Sequence, residues 1–252
     1  MCKVAIVTGG TSGIGRATAL ALQSDGWTVY ELSRRGEGMA DVRHIVADIT
    51  KEETLSAAVA QVMAEEGRID LVINNAGFGI SGAIEFTTTE EARRLFDANF
   101  FGMVRMNRCV IPLMRAQGSG RIINLSSVAA PVPIPFQAYY SATKAAVNDY
   151  TMALANELRP FGVSVCAVQP GDIKTGFTAA RERWWPVMTC IRAASAGRCS
   201  AWSTTNRPAW IPPGRDASSP MWPPRAVSSR FTPSAPATSS LCFWCVFCPI
   251  AC

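Results

Sequence analysis

The stretch Val4-Ala-Ile-Val-Thr-Gly-Gly-Thr-Ser-Gly-Ile-Gly15 decides the fold. Val4 to Val7 is a short continuous apolar run that ends in a glycine-rich turn, and Arg16 to Gln23 beyond it is rich in Ala and Leu at helical spacing. A run that is apolar at every position suits a parallel strand covered on both faces, so the order is strand, loop, helix. That context gives the glycines their meaning. Gly9 permits a tight turn, Gly13 lets the backbone approach a pyrophosphate, and Gly15 lets the helix pack on the strand with the anion at its N-terminus. The spacing G-x-x-x-G-x-G differs from the commoner G-x-G-x-x-G, and in isolation a plain glycine turn explains it equally well.

Working outward, the same alternation recurs. Thr28 to Arg35 reads as a second strand, His44 to Asp48 as a third, Ile69 to Gly77 as a fourth, Arg121 to Ser126 as a fifth and Val163 to Gln169 as a sixth. Between them, Thr50-Lys-Glu-Glu53 has the pattern of a capping box, followed by Leu55, Val59, Val62 and Met63 at helical spacing. Thr88-Thr-Glu-Glu91 caps a long helix through to Met114, and another helix runs from about Gln137 to Leu158. The expected architecture is one doubly wound α/β domain of the Rossmann type, with six parallel strands and helices on both faces. Ligands should lie at the strands' carboxyl ends.

Chemistry gathers late in this pattern. Tyr140 and Lys144 are four residues apart, so on a helix they share a face, and the ammonium lowers the phenol pKa from roughly 10. Tyr139 points elsewhere. Ser127 follows the fifth strand, where a hydroxyl is presented at the sheet's carboxyl edge. Alone, a Tyr and a Lys at this spacing also describe an ordinary surface helix. At the end of the second strand, where an acid would hold the 2′-hydroxyl of NAD, stand Ser33 and Arg34. Arg34, with Arg35, suits a 2′-phosphate, which favours NADP(H) with NAD as the alternative; a solvated Arg pair is the plainer reading. His44, the single histidine, shows no companion for a ligand cluster or triad and reads as structural.

Thr8-Gly-Gly-Thr-Ser-Gly-Ile-Gly15, Asn74-Asn-Ala-Gly77, Ser127, Tyr140, Lys144 and Pro170-Gly171, in that order, resemble the short-chain dehydrogenase/reductase (SDR) family over residues 3 to about 180. The resemblance implies hydride transfer between NADP(H) and a carbonyl/alcohol pair, without a metal. Ser127 would bind the substrate oxygen and Tyr140 would pass the proton. Lys144 would hold the nicotinamide ribose, and Asn99 would support a water in the proton relay, although a mid-helix Asn ordinarily just faces solvent. Thr11, Ser12, Ile14, Asp48 at the adenine, Ile49, Asn75, Ala76 and Gly77 would line the cofactor. Pro170, Gly171, Ile173 at the carboxamide and Thr175 at a phosphate would complete its site. The family implies a homodimer or homotetramer. Gly77-Phe78-Gly79 and Gly171 to Phe177 resemble the branch acting on steroids and retinoids, hence a hydrophobic small-molecule substrate. Phe78 also fits as a packed aromatic. The Pro-rich run Val128 to Phe136 fits a pocket wall or a rigid linker. The rival function is nucleotide binding without catalysis.

Composition divides the chain. Residues 1–180 hold 17 Asp+Glu and 16 Lys+Arg, whereas 181–252 hold Glu182 and Asp216 against eight Arg, so the formal +5 belongs to the tail and implies no nucleic-acid partner. The tail also holds six of the seven Trp, ten of the 16 Pro and six of the nine Cys, with no Lys and one Leu. No amphipathic period runs through it, and nothing matches the family's substrate lid or last strand. A shift of reading frame near residues 181–200 explains this mixture; a divergent ordered tail is the competing reading. Cys242, Cys245, Cys248 and Cys252 have the spacing of half a two-cluster ferredoxin motif, but no second run completes it. The expected division is therefore a cofactor-binding catalytic domain, 1–180, and an anomalous segment, 181–252. An immediate strand at the N-terminus, three scattered cysteines before the tail and no apolar run of ~20 residues point to a cytoplasmic protein without a membrane span.

Overall fold

Parallel strands that are buried on both faces need apolar side chains at successive positions, and here they supply two cores at once. The computed structural model describes residues 2–36, 39–171, 173 and 182–183. In chain order the elements are β1 (Val4–Thr8), α1 (Gly13–Ser24), β2 (Thr28–Ser33), β3 (Arg43–Val46), α2 (Glu52–Glu66), β4 (Leu71–Asn74) and β5 (Ile80–Ser81). Then come α3 (Thr89–Phe96), a π turn at Asp97–Phe101, α4 (Gly102–Gln117), β6 (Gly120–Leu125), α5 (Ala138–Leu158), β7 (Val163–Val168) and β8 (Glu182–Arg183). Six strands form one all-parallel sheet in the order β3-β2-β1-β4-β6-β7. A two-residue parallel ribbon of β5 with β8 stands apart from it and had no counterpart in the sequence pattern.

Alternation along the strands divides the cores. Val4, Ile6, Tyr30, Leu32, Val72 and Ile122 face α2, α4 and the end of α5, through Leu55, Val62, Met106, Val110 and Leu154. Ala5, Val7, Val29, Leu71 and Ile73 face the opposite way, where Ala19, Leu20 and Leu22 of α1 cover them. The chain leaves β1 for β2 and β3 on one side and returns to β4 on the other. That reversal between β1 and β4 is a topological switch point, where the loops at the carboxyl ends diverge and leave a crevice.

Two threonine patterns have different outcomes. At Thr88 the capping box forms: the Glu91 N–H donates to Thr88 Oγ1 and the Thr88 N–H to the Glu91 carboxylate. Thr50 makes no such box. Its hydroxyl donates to Asp48 Oδ1 at 2.7 Å, and α2 begins after Lys51 without a side-chain cap. The acid at the end of β3 competes for the same hydroxyl. The long helix expected from Thr88 to Met114 is also divided, since the π turn at Asp97–Phe101 separates α3 from α4. Thr175, Cys242, Cys245, Cys248, Cys252 and the tail beyond residue 183 lie outside the described residues.

One polar ladder crosses the core. Asn74 Nδ2 donates to both Asn107 Oδ1 and Asn124 Oδ1 at 2.8 Å, and Asn124 Nδ2 donates to Thr151 Oγ1 at 2.9 Å. All four residues are buried, and they join β4, β6, α4 and α5. Truncating a member leaves its partners without compensation. Asn124→Ala should therefore cost about 2 to 4 kcal/mol, read as a lower urea midpoint at unchanged slope. Asn156→Ala, on the exposed side of α5, should stay within about 0.5 kcal/mol.

Candidate active site

The site is assembled where β1, β4 and β6 end. At the end of β1, Thr8 is followed by Gly9 at φ +66°, a left-handed conformation that favours glycine. A Cβ at Gly9 would also come within 2.9 Å of Ala76 Cα, and one at Gly15 within 2.4 Å of Asn75 Nδ2. Asn75 ties the two loops together. Its Nδ2 donates to the Thr8 and Gly9 carbonyls at 3.0 and 2.9 Å, while the Asn75 and Ala76 N–H groups both donate to Thr8 Oγ1 at 3.1 Å. Asn75 thus spends its side chain on the loop itself. Thr11, Ser12 and Gly13 at the start of α1 are exposed, and Ile14 is half-buried beneath them. A glycine cradle at a helix N-terminus, too tight for any Cβ at Gly9 or Gly15, fits the pyrophosphate of a dinucleotide.

Beyond β2, Ser33 is half-buried and Arg34 and Arg35 are exposed. A cavity of about 850 Å³ opens between α1 and the loop after β2, lined by Thr11, Arg16, Leu20, Arg35, Gly36, Met39 and Ala40. Arg35, not Arg34, is on its wall, and Arg16 joins it from α1. Arg34 lies instead on the side of Asp48. Burial pushes the Asp48 carboxyl up, but the Thr50 N–H and hydroxyl, with Arg34 and Lys51 nearby, outweigh that and hold it below its ordinary value. Ile49 packs against α4, where a Cβ at Gly102 would meet it at 3.0 Å.

The other half of the site lies over β6 and α5. Lys144 is 6% exposed, its Nζ is 5.8 Å from the Tyr140 ring centroid, and it donates to the Leu125 carbonyl at 2.7 Å. Ser126 donates back to the Lys144 carbonyl at 3.0 Å, so strand and helix are pinned at the two residues that precede Ser127. Ser127 is buried and its Oγ accepts from the Ala129 N–H at 3.1 Å. Tyr140 is buried among Ile80, Leu95 and Ala129. Its neighbour Tyr139 lines a separate groove of about 740 Å³ with Ala92, Phe96 and Phe101.

Asn99, buried within the π turn, accepts from the Phe78 N–H and donates to the Phe78 carbonyl, both at 2.9 Å, and also reaches Thr143 Oγ1 at 3.3 Å. Gly77 is needed beside it, since a Cβ there would come within 2.8 Å of Asn99 Oδ1. The Pro170 carbonyl accepts from the Val128 N–H at 3.1 Å, which ties the loop after β7 to the loop after β6. Gly171 is half-buried and Ile173 is exposed. Thr8, Thr143, Arg16 and Glu31 take contacts here that the sequence pattern did not assign to them. Glu31 had a signal of its own, an acid between Tyr30 and Leu32 in β2. Its carboxylate meets His44 Nδ1 at 2.5 Å, so the single histidine does have a partner.

A family model described as short chain dehydrogenase matches residues 3–185. The 3-ketodihydrosphingosine reductase of Bacteroides thetaiotaomicron is 46% identical over 181 residues, covering 71% of this chain and 67% of that protein. Among solved structures, the 3-ketoacyl-(acyl-carrier-protein) reductase from Brucella melitensis complexed with NADH superposes at a TM-score of 0.69, with 31% identity, over 77% of this chain and 82% of that one. ElxO with NADP bound superposes at 0.67, with 26% identity, over 79% and 81%.

Burial alone holds the Lys144 ammonium down from 10.5 to about 8. The folded protein then releases that proton near pH 8 and the unfolded chain near 10.5, so between these values the unfolded state binds more protons. The contribution of Lys144 to stability therefore rises with pH across that window, by roughly 3 kcal/mol in total. Lys144→Met should lack this rise and should be as stable as the wild type, or more so, at pH 7. Urea unfolding of both proteins between pH 7 and 10.5 measures it.

Proposed function

Because the chain belongs to the short-chain dehydrogenase family, an oxidoreductase family acting on alcohol and carbonyl groups, we propose that it reduces a hydrophobic ketone with NADPH at Ser127, Tyr140 and Lys144. The observation that carries this reading is the buried Lys144 ammonium beneath the Tyr140 ring, anchored to Leu125 just before Ser127. Nicotinamide, when bound, supplies the hydride that reaches the carbonyl carbon.

The chain's own residues do the rest. The Ser127 hydroxyl donates to the substrate oxygen and holds it, while the Tyr140 hydroxyl transfers its proton to that oxygen as the carbon accepts hydride. The product is an alcohol and the phenolate is left behind. Lys144, positively charged, stabilises that phenolate and orients the ribose; its own proton is easily passed on because burial already disfavours the charged form. Asn99 supports the water that returns a proton to this pair, by keeping Phe78 and Thr143 in place beside it.

Pyrophosphate lies over Gly9, Thr11, Ser12, Gly13, Ile14 and Gly15 in this reading, and adenine over Asp48 and Ile49. Asn75, Ala76, Gly77, Pro170, Gly171, Ile173 and Thr175 border the remainder. A 2′-phosphate is taken by Ser33 with Arg34, and Arg35 and Arg16 add charge from the cavity wall. The NADH and NADP complexes among the related structures leave both nucleotides open, and the lack of an acid at Ser33 favours NADP(H). The exposed apolar residues Ile84, Phe86, Val132 and Ile134, and the likeness to a 3-ketodihydrosphingosine reductase, support a hydrophobic substrate. Residues 1–180 carry this chemistry in a cytoplasmic homo-oligomer; among the described residues no helix is long and apolar enough to cross a membrane.

Tyr140→Phe removes the transferable proton and little packing, so it should abolish NADPH-dependent ketone reduction while leaving nucleotide binding intact. Tyr139→Phe should retain most of the turnover. The reverse ranking would assign the proton transfer to Tyr139 and overturn the role of Tyr140.

NADPH should bind more tightly than NADH, by about 1.5 to 3 kcal/mol for one Arg–phosphate contact, or roughly tenfold to a hundredfold. Arg34→Ala should reduce that ratio. Equal dissociation constants, unchanged in the variant, would rule the preference out.

A further inference from the structure

The buried charged residues among those described are Lys144 and Glu31, and the reaction above uses only the first. Glu31 is 2% exposed in β2, paired in register with Val7 of β1 and His44 of β3. Its two oxygens face different loops. Oε1 accepts from the Gly10 N–H at 2.9 Å, in the glycine-rich loop. Oε2 meets His44 Nδ1 at 2.5 Å and lies 3.3 Å from Ser33 Oγ. Ser33 Oγ in turn is 2.8 Å from the Arg35 carbonyl.

Both loops are shaped to this pair. A Cβ at Gly10 would strike Glu31 Cγ at 2.4 Å, and a Cβ at Gly36 would strike the His44 ring at 2.3 Å. The carboxylate therefore sits under the glycine-rich loop on one side. On the other, through His44 and Ser33, it sits under the loop that carries Arg34 and Arg35. Between these loops lies the cavity bounded by Thr11, Arg16, Arg35 and Gly36. A buried carboxylate is costly unless each oxygen is paired, and here the pairs are the two walls of the nucleotide slot.

We infer that Glu31 is a positioning residue for the adenosine half of the cofactor, fixing the glycine-rich loop and the Arg34–Arg35 loop at one spacing. This rests on the NADP(H) reading above. Without the carboxylate, the Gly10 N–H loses its acceptor and the arginine loop loses its floor. Nucleotide affinity then falls although the sheet remains packed.

Three full-length proteins test it: wild type, Glu31→Leu and Glu31→Gln, with dissociation constants for NADPH and NADH from nucleotide fluorescence and with thermal unfolding followed alongside. Leu fills the volume of a buried acid with an apolar group, a replacement often neutral or stabilising. Glu31→Leu should unfold at or above the wild-type temperature yet bind NADPH at least tenfold more weakly, with a smaller loss for NADH. Glu31→Gln keeps an acceptor for Gly10 and should return NADPH binding to within about threefold of wild type. If the Leu variant is insoluble, Glu31→Ala is read by the same criterion at a temperature where it is folded. Wild-type NADPH affinity in a variant lacking the carboxylate, or a loss that Gln does not reduce, overturns the assignment. The wild-type ratio of the two constants judges the cofactor preference separately: if it is one, that preference falls, and Glu31 is judged by the loss of either nucleotide.

Discussion

The Thr8 hydroxyl is the point on which the crevice depends. It receives the N–H groups of Asn75 and Ala76, while Asn75 reaches back to the carbonyls of Thr8 and Gly9. These bonds join the ends of β1 and β4 at the one place where the chain reverses its direction across the sheet. A parallel sheet brings its strand ends to one edge but does not by itself fix the loops that leave them. Here the loop backbones are fixed by the Thr8 hydroxyl, which accepts two N–H groups, and by the Asn75 amide, which donates to two carbonyls. The exposed N-terminus of α1 is thereby left uncapped by its own side chains, where the proposed pyrophosphate would lie.

The same economy recurs around the reacting groups. Asn99 spends both ends of its amide on the backbone of Phe78, so the π turn and the loop after β4 form one body. Ser126 donates to the Lys144 carbonyl and Lys144 Nζ to the Leu125 carbonyl, so bonds run both ways between the end of β6 and α5. A candidate Ser after β6 and a candidate Tyr and Lys on α5 are thus carried on backbone that has little freedom to shift. Preorganisation of this kind is what makes a fixed donor more effective than water at a developing charge.

Which features were legible in the sequence follows from the range of the interactions. Strands buried on both faces betray themselves as continuous apolar runs, and β1 and β4 were found that way. The Tyr140–Lys144 pair was legible because four residues along one helix is a local geometry. Where the partner lies far along the chain, the pattern misleads or is silent. Thr50 and Thr88 carry the same local signature, yet only Thr88 caps its helix, because Asp48 takes the Thr50 hydroxyl. Asn99 meets Phe78, 21 residues away, and Glu31 meets Gly10, also 21 away; neither contact follows from periodicity. The arginine that lines the cavity is likewise set by the course of the loop after β2, which spacing does not determine.

Lys144 and Glu31 place two buried charges in one small domain, and they are treated differently. Glu31 has its oxygens paired to Gly10 and His44, so its burial is compensated by the structure that it supports. Lys144 Nζ meets a neutral carbonyl, Leu125, and an aromatic face, and burial holds it down at about 8. A lysine so placed is destabilising to the charged form in the resting fold, and that is what suits it to the proposed chemistry. In the proposed reaction, the charge that comes to face it is the phenolate that Tyr140 would become once its proton had gone to substrate. The ammonium is then better compensated after proton transfer than before, so the fold's unfavourable burial is relieved along the reaction coordinate. On this account Lys144 stabilises the product side of the proton transfer, whereas Glu31 acts earlier, on the walls that hold the cofactor in register with it.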